Sequence, residues 1–111
     1  TAVQYDLPII VVVIDNGMFG TIRMHQERSY PGRVSATQLR NPDFAGYAKV
    51  FGGHGERVAR TDDFPAAFER SLASGKPSII HCLIDQEAIT PTTTLSALRS
   101  RALAAAAQGS T

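Results

Sequence analysis

The sequence predicts an α/β protein with an open parallel sheet that carries helices on both faces. Residues 8–14 and 78–85 form two strongly apolar runs without polar alternation, which is typical of strands covered on both sides. The segments between and around them have helical spacing of apolar residues. The resulting order of strand, helix, helix, strand, helix, strand, helix favours parallel strands joined by right-handed crossovers.

The first strand leads into a tight turn and a helix. Residues 8–14 are followed by Asp15-Asn16-Gly17, and residues 18–28 can form a helix that ends before Pro31-Gly32. Phe19, Ile22 and Gln26 share one face of this helix. Residues 29–43 show no period and are rich in turn formers, which predicts a long surface loop of a kind that is often functional.

The remaining elements follow from caps and periodicity. Asp43 can cap a short helix that Gly52-Gly53 stops, residues 55–60 form a short strand, and residues 61–63 lead into a helix that Gly75 terminates. A final Ala-rich helix spans residues 94–108. The predicted buried positions on these three helices are Phe44, Tyr47, Ala48 and Phe51; Phe64, Phe68 and Leu72; and Leu95, Leu98 and Ala102.

Composition excludes several classes of partner and site. The chain has 111 residues, 43% of them hydrophobic, and a formal charge of +1 without a run of either sign, so nothing points to nucleic acid or a membrane surface. Its single cysteine, Cys82, lies in an apolar run and is predicted to be a buried structural thiol. No apolar run is long enough to cross a bilayer, which predicts a cytoplasmic protein.

The turn after the first strand has the residues expected of an anion and metal site. Ligands of open parallel sheets bind beyond the carboxyl ends of strands, and Asp15-Asn16-Gly17-Met18-Phe19-Gly20 lies at such an end. The amides at a helix N-terminus favour a phosphate or diphosphate, and an Asn oxygen with a backbone carbonyl suits magnesium. The same residues also make an ordinary strand-ending turn, so spacing alone leaves both interpretations open.

Three segments resemble one family. Residues 7–23 look like the second half of the thiamine diphosphate motif, which runs from Gly-Asp-Gly to Asn-Asn. Residues 41–55, beginning Asn-Pro-Asp-Phe, and residues 76–85 are similar to the segments that follow it. The chain therefore resembles thiamine-diphosphate-dependent enzymes of the acetolactate synthase and benzoylformate decarboxylase kind. Residues 1–111 would be the C-terminal portion of the diphosphate-binding domain, a fragment without the Gly-Asp-Gly half.

The resemblance implies roles for four residues. Asn16 would bind Mg²⁺ through its side-chain oxygen, and Met18 through its backbone carbonyl. The amides of Met18, Phe19 and Gly20 would lie near the diphosphate of thiamine diphosphate, and Gly20 would let the backbone approach it. Asp15 stands where the family usually has the first Asn of the pair.

No catalytic residue is assigned, because the resemblance places the activating glutamate in a separate domain that a partner subunit usually contributes. The isolated chain is therefore expected to be inactive, and the parent protein to be a homo-oligomer. Ile22 stands where pyruvate-decarboxylase-like enzymes carry a Glu, and an apolar residue there resembles acetolactate-synthase-like carboligases and benzoylformate-decarboxylase-like enzymes instead. The parent would decarboxylate a 2-oxo acid, and the resemblance leaves open whether it also ligates the product to a second carbonyl compound.

The sequence leaves one alternative open, a non-catalytic α/β assembly module that has lost the cofactor. His25 and Glu27 project from different helix faces and are predicted to be structural or solvated rather than an acid–base pair. His54 and His81 belong to no cluster with metal-ligand spacing and are predicted to be structural.

Overall fold

A computed structural model describes residues 1–109, which form two compact units. The sheet unit comprises residues 1–15 and 41–84, and the helical unit comprises residues 16–40 and the described residues from 85 onward. The elements, in chain order, are β1 (Ile10–Asp15), α1 (Gly20–Ser29), α2 (Phe44–Val50), β2 (His54–Val58), a 3₁₀ turn (Thr61–Asp63), α3 (Phe64–Ser74), β3 (Ser78–Leu83), β4 (Ala88–Thr90), β5 (Thr93–Thr94) and α4 (Leu95–Gly109).

The sheet unit contains a three-stranded parallel sheet in the order β1-β3-β2. The central strand β3 has Ile80 fully buried, as predicted for a strand covered on both sides. The helix α3 covers one face, where Ala67 packs with Val58, Ile80 and Cys82. The helix α2 covers the other face, because the backbone of Ala45 lies against Gly55. The predicted α/β architecture with helices on both faces of the sheet is confirmed.

The strand β1 is less covered than its sequence predicts. Among the described residues it pairs only with β3, so it is an edge strand. Val11, Val12 and Ile14 are 44%, 41% and 60% exposed. The prediction that β1 is buried on both faces is therefore wrong for this chain, because α2 and α3 pack mainly on β2 and β3.

Helix periodicity predicted the buried positions of α2 and α3 only in part: Ala48 is buried as predicted, and Phe44 and Phe64 are half-buried. Tyr47 and Phe51 on α2, and Leu72 on α3, are each more than half exposed. The buried residues are small: Ala45 and Ala48 on α2, and Ala67 and Ser71 on α3. Small side chains allow the helices to approach the sheet closely, and they push the large apolar side chains to the margins of the contact.

The predicted helix boundaries agree well with the structure. The Asp43 carboxylate accepts a hydrogen bond from the Gly46 amide at 3.1 Å and caps α2. Gly75 ends α3 in the left-handed region, at φ 64°. The caps were predictable because they depend on residues only a few positions apart.

The helical unit contains α1, α4 and a small hairpin that the sequence did not predict. The strands β4 and β5 pair antiparallel, and Glu87 just before β4 accepts hydrogen bonds from the amide and hydroxyl of Ser96, both at 2.9 Å. Thr94 also accepts from the amide of Ala97 at 3.2 Å. The hairpin thus fixes where α4 begins, and Leu95 and Leu98 are buried as predicted.

Candidate functional site

The turn that precedes α1 holds the Asn16 side chain in a defined orientation. Gly17 adopts φ +69°, a left-handed conformation that other residues rarely take. The Oδ1 atom of Asn16 accepts a hydrogen bond from the amide of Met18 at 3.2 Å. The turn therefore fixes the side-chain oxygen of Asn16 immediately before the helix.

The N-terminus of α1 is open to an anion. Its N-cap residue, Phe19, makes no side-chain capping bond, and the first turn contains no acidic residue. The amides of Gly20, Thr21 and Ile22 have no acceptor within the helix, since the first intrahelical bond runs from the Arg23 amide to the Phe19 carbonyl at 2.9 Å. Several donors and the positive end of the helix dipole thus remain available to a phosphate group.

Gly20 provides space for Asn16. A Cβ atom at position 20 would lie 2.8 Å from Nδ2 of Asn16, which is closer than real Cβ contacts allow. Gly20 has an ordinary helical φ, so its requirement here is steric rather than conformational. The group close to Gly20 is therefore the side chain of Asn16, and the expected approach of the Gly20 backbone to a diphosphate stays a prediction.

We expect Gly20→Ala to weaken Mg²⁺-dependent binding of thiamine diphosphate by about 10-fold, a loss typical of displacing a metal-site support. The added methyl group must move the Asn16 amide, while Ala at a helical position gains about 0.5–1 kcal/mol over Gly. The thermal midpoint should therefore not fall while affinity does. Gly46→Ala is a matched control, because its Cβ would lie 2.8 Å from Oδ2 of the Asp43 cap, outside this turn. Equal affinity in Gly20→Ala and wild-type protein would contradict the steric role.

The structure brings the four predicted site residues together in one turn, and it gives two of their amides protein partners. The amide of Met18 donates to Asn16, and the amide of Phe19 donates to the carbonyl of Thr37 at 2.8 Å. Within residues 1–109, the Met18 carbonyl and the Gly20 amide have no hydrogen-bond partner. The Met18 carbonyl and the Gly20 amide thus remain available, and Asn16 Oδ1, which accepts from the Met18 amide, keeps a second lone pair. The residues present therefore fit a magnesium diphosphate group.

The buried carboxylate of Glu27 is the centre of a hydrogen-bond network in the helical unit. Glu27 is fully buried and accepts bonds from Arg23 Nε at 3.1 Å, Arg99 Nε at 2.8 Å and the Gly32 amide at 3.0 Å. The Arg99 hydrogen bond is the main cause that lowers the pKa of Glu27 from 4.5 to about 2, with Gly32 and Arg23 adding to it. The structural interpretation of Glu27 is confirmed, and its role is to join α1, the following loop and α4.

We expect this network to make the free energy of unfolding decrease at low pH. Because the folded pKa of Glu27, about 2, lies below its usual 4.5, its contribution is complete above about pH 4.5 and is lost as pH falls toward 2. Glu27→Gln should lower the free energy of unfolding near neutral pH by about 3 kcal/mol, because it leaves buried Arg23 poorly paired. Urea titrations near pH 7 and near pH 3 measure both effects. Glu69→Gln, an exposed change on α3, is the control; a pH slope unchanged by Glu27→Gln would contradict the assignment.

In the sheet unit, Asp15 takes part in a buried polar cluster that the sequence did not reveal. Its Oδ2 lies 2.6 Å from His81 Nε2, and its Oδ1 accepts from the Asn41 side-chain amide at 2.7 Å. The ring of Phe44 packs edge-on against His81, with centroids 5.0 Å apart. Asp15, which departs from the usual Asn, therefore has partners that suit a carboxylate. The partners come from positions 26 and 66 residues away, so no local signal could indicate them.

The other residues considered from sequence have structural roles. Cys82 is buried, and desolvation raises the pKa of its thiol. His54 lies 3.5 Å from Glu56 in β2. Residues 1–109 contain no group of three or more His, Cys, Asp or Glu side chains arranged to hold a metal ion. None of the helices in this part of the chain has the length and apolar character needed to span a bilayer.

The chain has a parallel strand that ends in a left-handed turn, followed by an uncapped helix N-terminus with oxygen atoms suited to a metal beside it. Together these features define a diphosphate-binding class of α/β domain. The family described as thiamine pyrophosphate enzyme, C-terminal TPP binding domain, matches residues 1–82. The chain belongs to this family.

Relatives with known names are similar over most of this chain. It is 37% identical over 87 residues to the acetolactate synthase isozyme 2 large subunit of Escherichia coli K12, covering 78% of this chain and 16% of that protein. It is 34% identical over 92 residues to a putative thiamine pyrophosphate-containing protein, YdaP, of Bacillus subtilis, covering 82% and 16%. A probable acetolactate synthase large subunit of Methanocaldococcus jannaschii is 26% identical with the same coverage. The chain thus spans about one sixth of the length of these relatives.

Proposed function

We propose that this chain is the C-terminal portion of the cofactor-binding domain of an acetolactate-synthase-like enzyme, which decarboxylates a 2-oxo acid and ligates the product to a second carbonyl compound. The observation that carries the proposal is the uncapped N-terminus of α1 beside the oriented side chain of Asn16. Family membership and the names of the relatives support the reaction class. The cofactors of the parent enzyme would be thiamine diphosphate and Mg²⁺.

Different groups of the turn would bind the metal ion and the diphosphate. Asn16 would supply its side-chain oxygen and Met18 its backbone carbonyl to Mg²⁺, which prefers hard oxygen ligands. The amide of Gly20 and those of the next two residues would donate to the diphosphate. The amides of Met18 and Phe19 would stabilise the turn itself, because they already have acceptors within the protein. When bound, thiamine diphosphate supplies the carbanion chemistry of decarboxylation and ligation.

The surface beside the turn suits a partly apolar substrate pocket. Phe19 and Ile22 are 49% and 54% exposed, and residues 18–22 line a shallow cavity of about 280 Å³. An apolar wall with few water molecules disfavours a carboxylate relative to the neutral product of its loss. Ile22 would contribute this wall and no proton transfer, which is consistent with a carboligase-like site.

The parent enzyme would complete the site with parts that this chain does not contain. We propose that the rest of the parent chain and a second subunit supply the other magnesium ligand and the activating glutamate, within a cytoplasmic homo-oligomer. Under this proposal the isolated chain is inactive. The exposed apolar residues Val11, Val12 and Ile14 on β1 are what a strand covered by other parts of a larger protein requires. The same exposure also favours the second candidate function, a cofactor-free assembly module.

Calorimetric titration separates the two candidates. Thiamine diphosphate with Mg²⁺ is titrated into this chain and into the full-length protein that carries it. We expect saturable binding to the full-length protein and none, or far weaker binding, to the isolated chain, because half of the ligand set is missing from it. Absence of binding to the full-length protein would contradict the enzyme proposal and favour the assembly module.

A further inference from the structure

The loop between α1 and α2 contains a short segment, residues 35–39, that is called the strap here. It lies along the turn of residues 16–20, which is called the cofactor turn. The amide of Leu39 donates to the Gly17 carbonyl at 2.7 Å, and the amide of Phe19 donates to the Thr37 carbonyl at 2.8 Å. These two bonds flank an antiparallel bridge between Met18 and Gln38. The strap thus pairs with the turn as a second short strand would.

One side chain on α1 holds the strap at two points. The Nε2 atom of Gln26 donates to the Ser35 carbonyl at 2.8 Å, and its Oε1 accepts from the Thr37 hydroxyl at 3.2 Å. Thr37 is only 2% exposed, so its hydroxyl is withdrawn from solvent. A single amide that both donates to and accepts from the strap determines its register along α1.

The pairing determines which backbone groups of the turn face a ligand. In an antiparallel pair, successive residues direct their amides and carbonyls alternately toward and away from the partner strand. Gly17 bonds to the strap through its carbonyl and Phe19 through its amide, so Met18, which lies between them opposite Gln38, directs its amide and carbonyl away from the strap. The Met18 amide accordingly meets Asn16 Oδ1 at 3.2 Å. The strap therefore orients the carbonyl that would bind Mg²⁺.

We propose that Gln26 is a positioning residue for cofactor binding, acting through the Thr37 hydroxyl and the strap on the backbone of Met18. This inference rests on the proposed function of the turn. It assigns to the loop residues a role in holding the cofactor turn in its binding geometry. Gln26 is not among the proposed ligands of the metal or the diphosphate, so its effect should be on affinity rather than on the rate at saturation.

The test uses Gln26→Leu, Thr37→Val and Thr37→Ser in the full-length protein. Thr37→Val removes the hydroxyl at nearly constant shape, whereas Thr37→Ser keeps it. We expect Gln26→Leu and Thr37→Val to weaken Mg²⁺-dependent thiamine diphosphate binding by about 10-fold, as other supports of metal ligands do, with kcat at saturating cofactor nearly unchanged. Hydrogen exchange of the Phe19 and Leu39 amides should accelerate in the same two variants, while Thr37→Ser should resemble the wild type in both measurements.

The two measurements distinguish the possible failures. Faster exchange at Phe19 and Leu39 with unchanged affinity would overturn the positioning role. Unchanged exchange would overturn the claim that Gln26 and Thr37 hold the strap. A wild-type protein that binds no thiamine diphosphate would refute the proposed function, and the positioning role would fall with it, whereas wild-type binding with unaltered variants refutes the positioning role alone.

Discussion

Asn16→Ala is expected to weaken Mg²⁺-dependent binding of thiamine diphosphate to the full-length protein on the order of 100-fold, at or beyond the upper end of what loss of a metal-site contact costs. The substitution removes the proposed metal ligand. It also removes the acceptor of the Met18 amide, whose 3.2 Å bond fixes the turn. The loss should be visible in calorimetric titration and in the cofactor concentration that half-activates the enzyme.

Two further variants separate ligand loss from a general disturbance. Asn16→Asp keeps an oxygen at the same position, and we expect it to retain more affinity for Mg²⁺ than Asn16→Ala. Gln4→Ala removes an exposed amide far along the chain from the turn and should bind as the wild type does. Asn16→Ala protein that binds the cofactor as tightly as Gln4→Ala protein would refute the metal-ligand assignment.

Gly55→Ala is expected to destabilise the sheet unit by about 3 kcal/mol, the upper range for overpacking a close contact. A Cβ atom on Gly55 would lie 2.7 Å from the carbonyl carbon of Ala45 and would overlap its oxygen. These atoms belong to the backbone of α2, so the whole helix must move away from the sheet. Urea denaturation of this chain measures the loss directly.

Gly109→Ala is the matched control for this substitution. Within residues 1–109, nothing lies within 4 Å of the position that its Cβ would occupy, so the added methyl group contacts no described residue. We expect a change of no more than about 0.5 kcal/mol, as is usual for surface substitutions. Similar unfolding midpoints for Gly55→Ala and Gly109→Ala would show that α2 does not pack on β2 at the distance described.

The candidate site was predictable because its residues are consecutive. Asn16, Met18, Phe19 and Gly20 lie between a strand and a helix whose limits the sequence shows through apolar runs and breakers. The strap was not predictable, since its pairing with the turn joins residues about twenty positions apart through backbone bonds that leave no side-chain pattern. Sequence reasoning therefore located the turn, whose ligand roles stay a prediction, and missed what holds the turn in place.

The ion pair of Arg23 and Glu27 was likewise predictable from the sequence only in part. The spacing of Arg23 and Glu27 is the i, i+4 spacing of an ordinary surface pair on a helix. Only the approach of Arg99, 72 residues away, makes Glu27 the buried centre of the helical unit. The burial of Glu27, and the Arg99 hydrogen bond that lowers its pKa, both depend on a contact that no local pattern encodes.

The sequence by itself determined the α/β class, the order of the elements apart from the β4–β5 hairpin, the caps at Asp43 and Gly75, and the residues of the turn, because each depends on neighbours a few positions apart. The tertiary structure decided which residues of each helix face the sheet and that β1 lies at an edge. It also decided which residues form hydrogen bonds with Asp15 and Glu27. The spacing of apolar residues in a sequence indicates only that one face of a helix is apolar. The close contact of Ala45 with Gly55 selects small residues for the interface and leaves Tyr47 and Phe51 exposed.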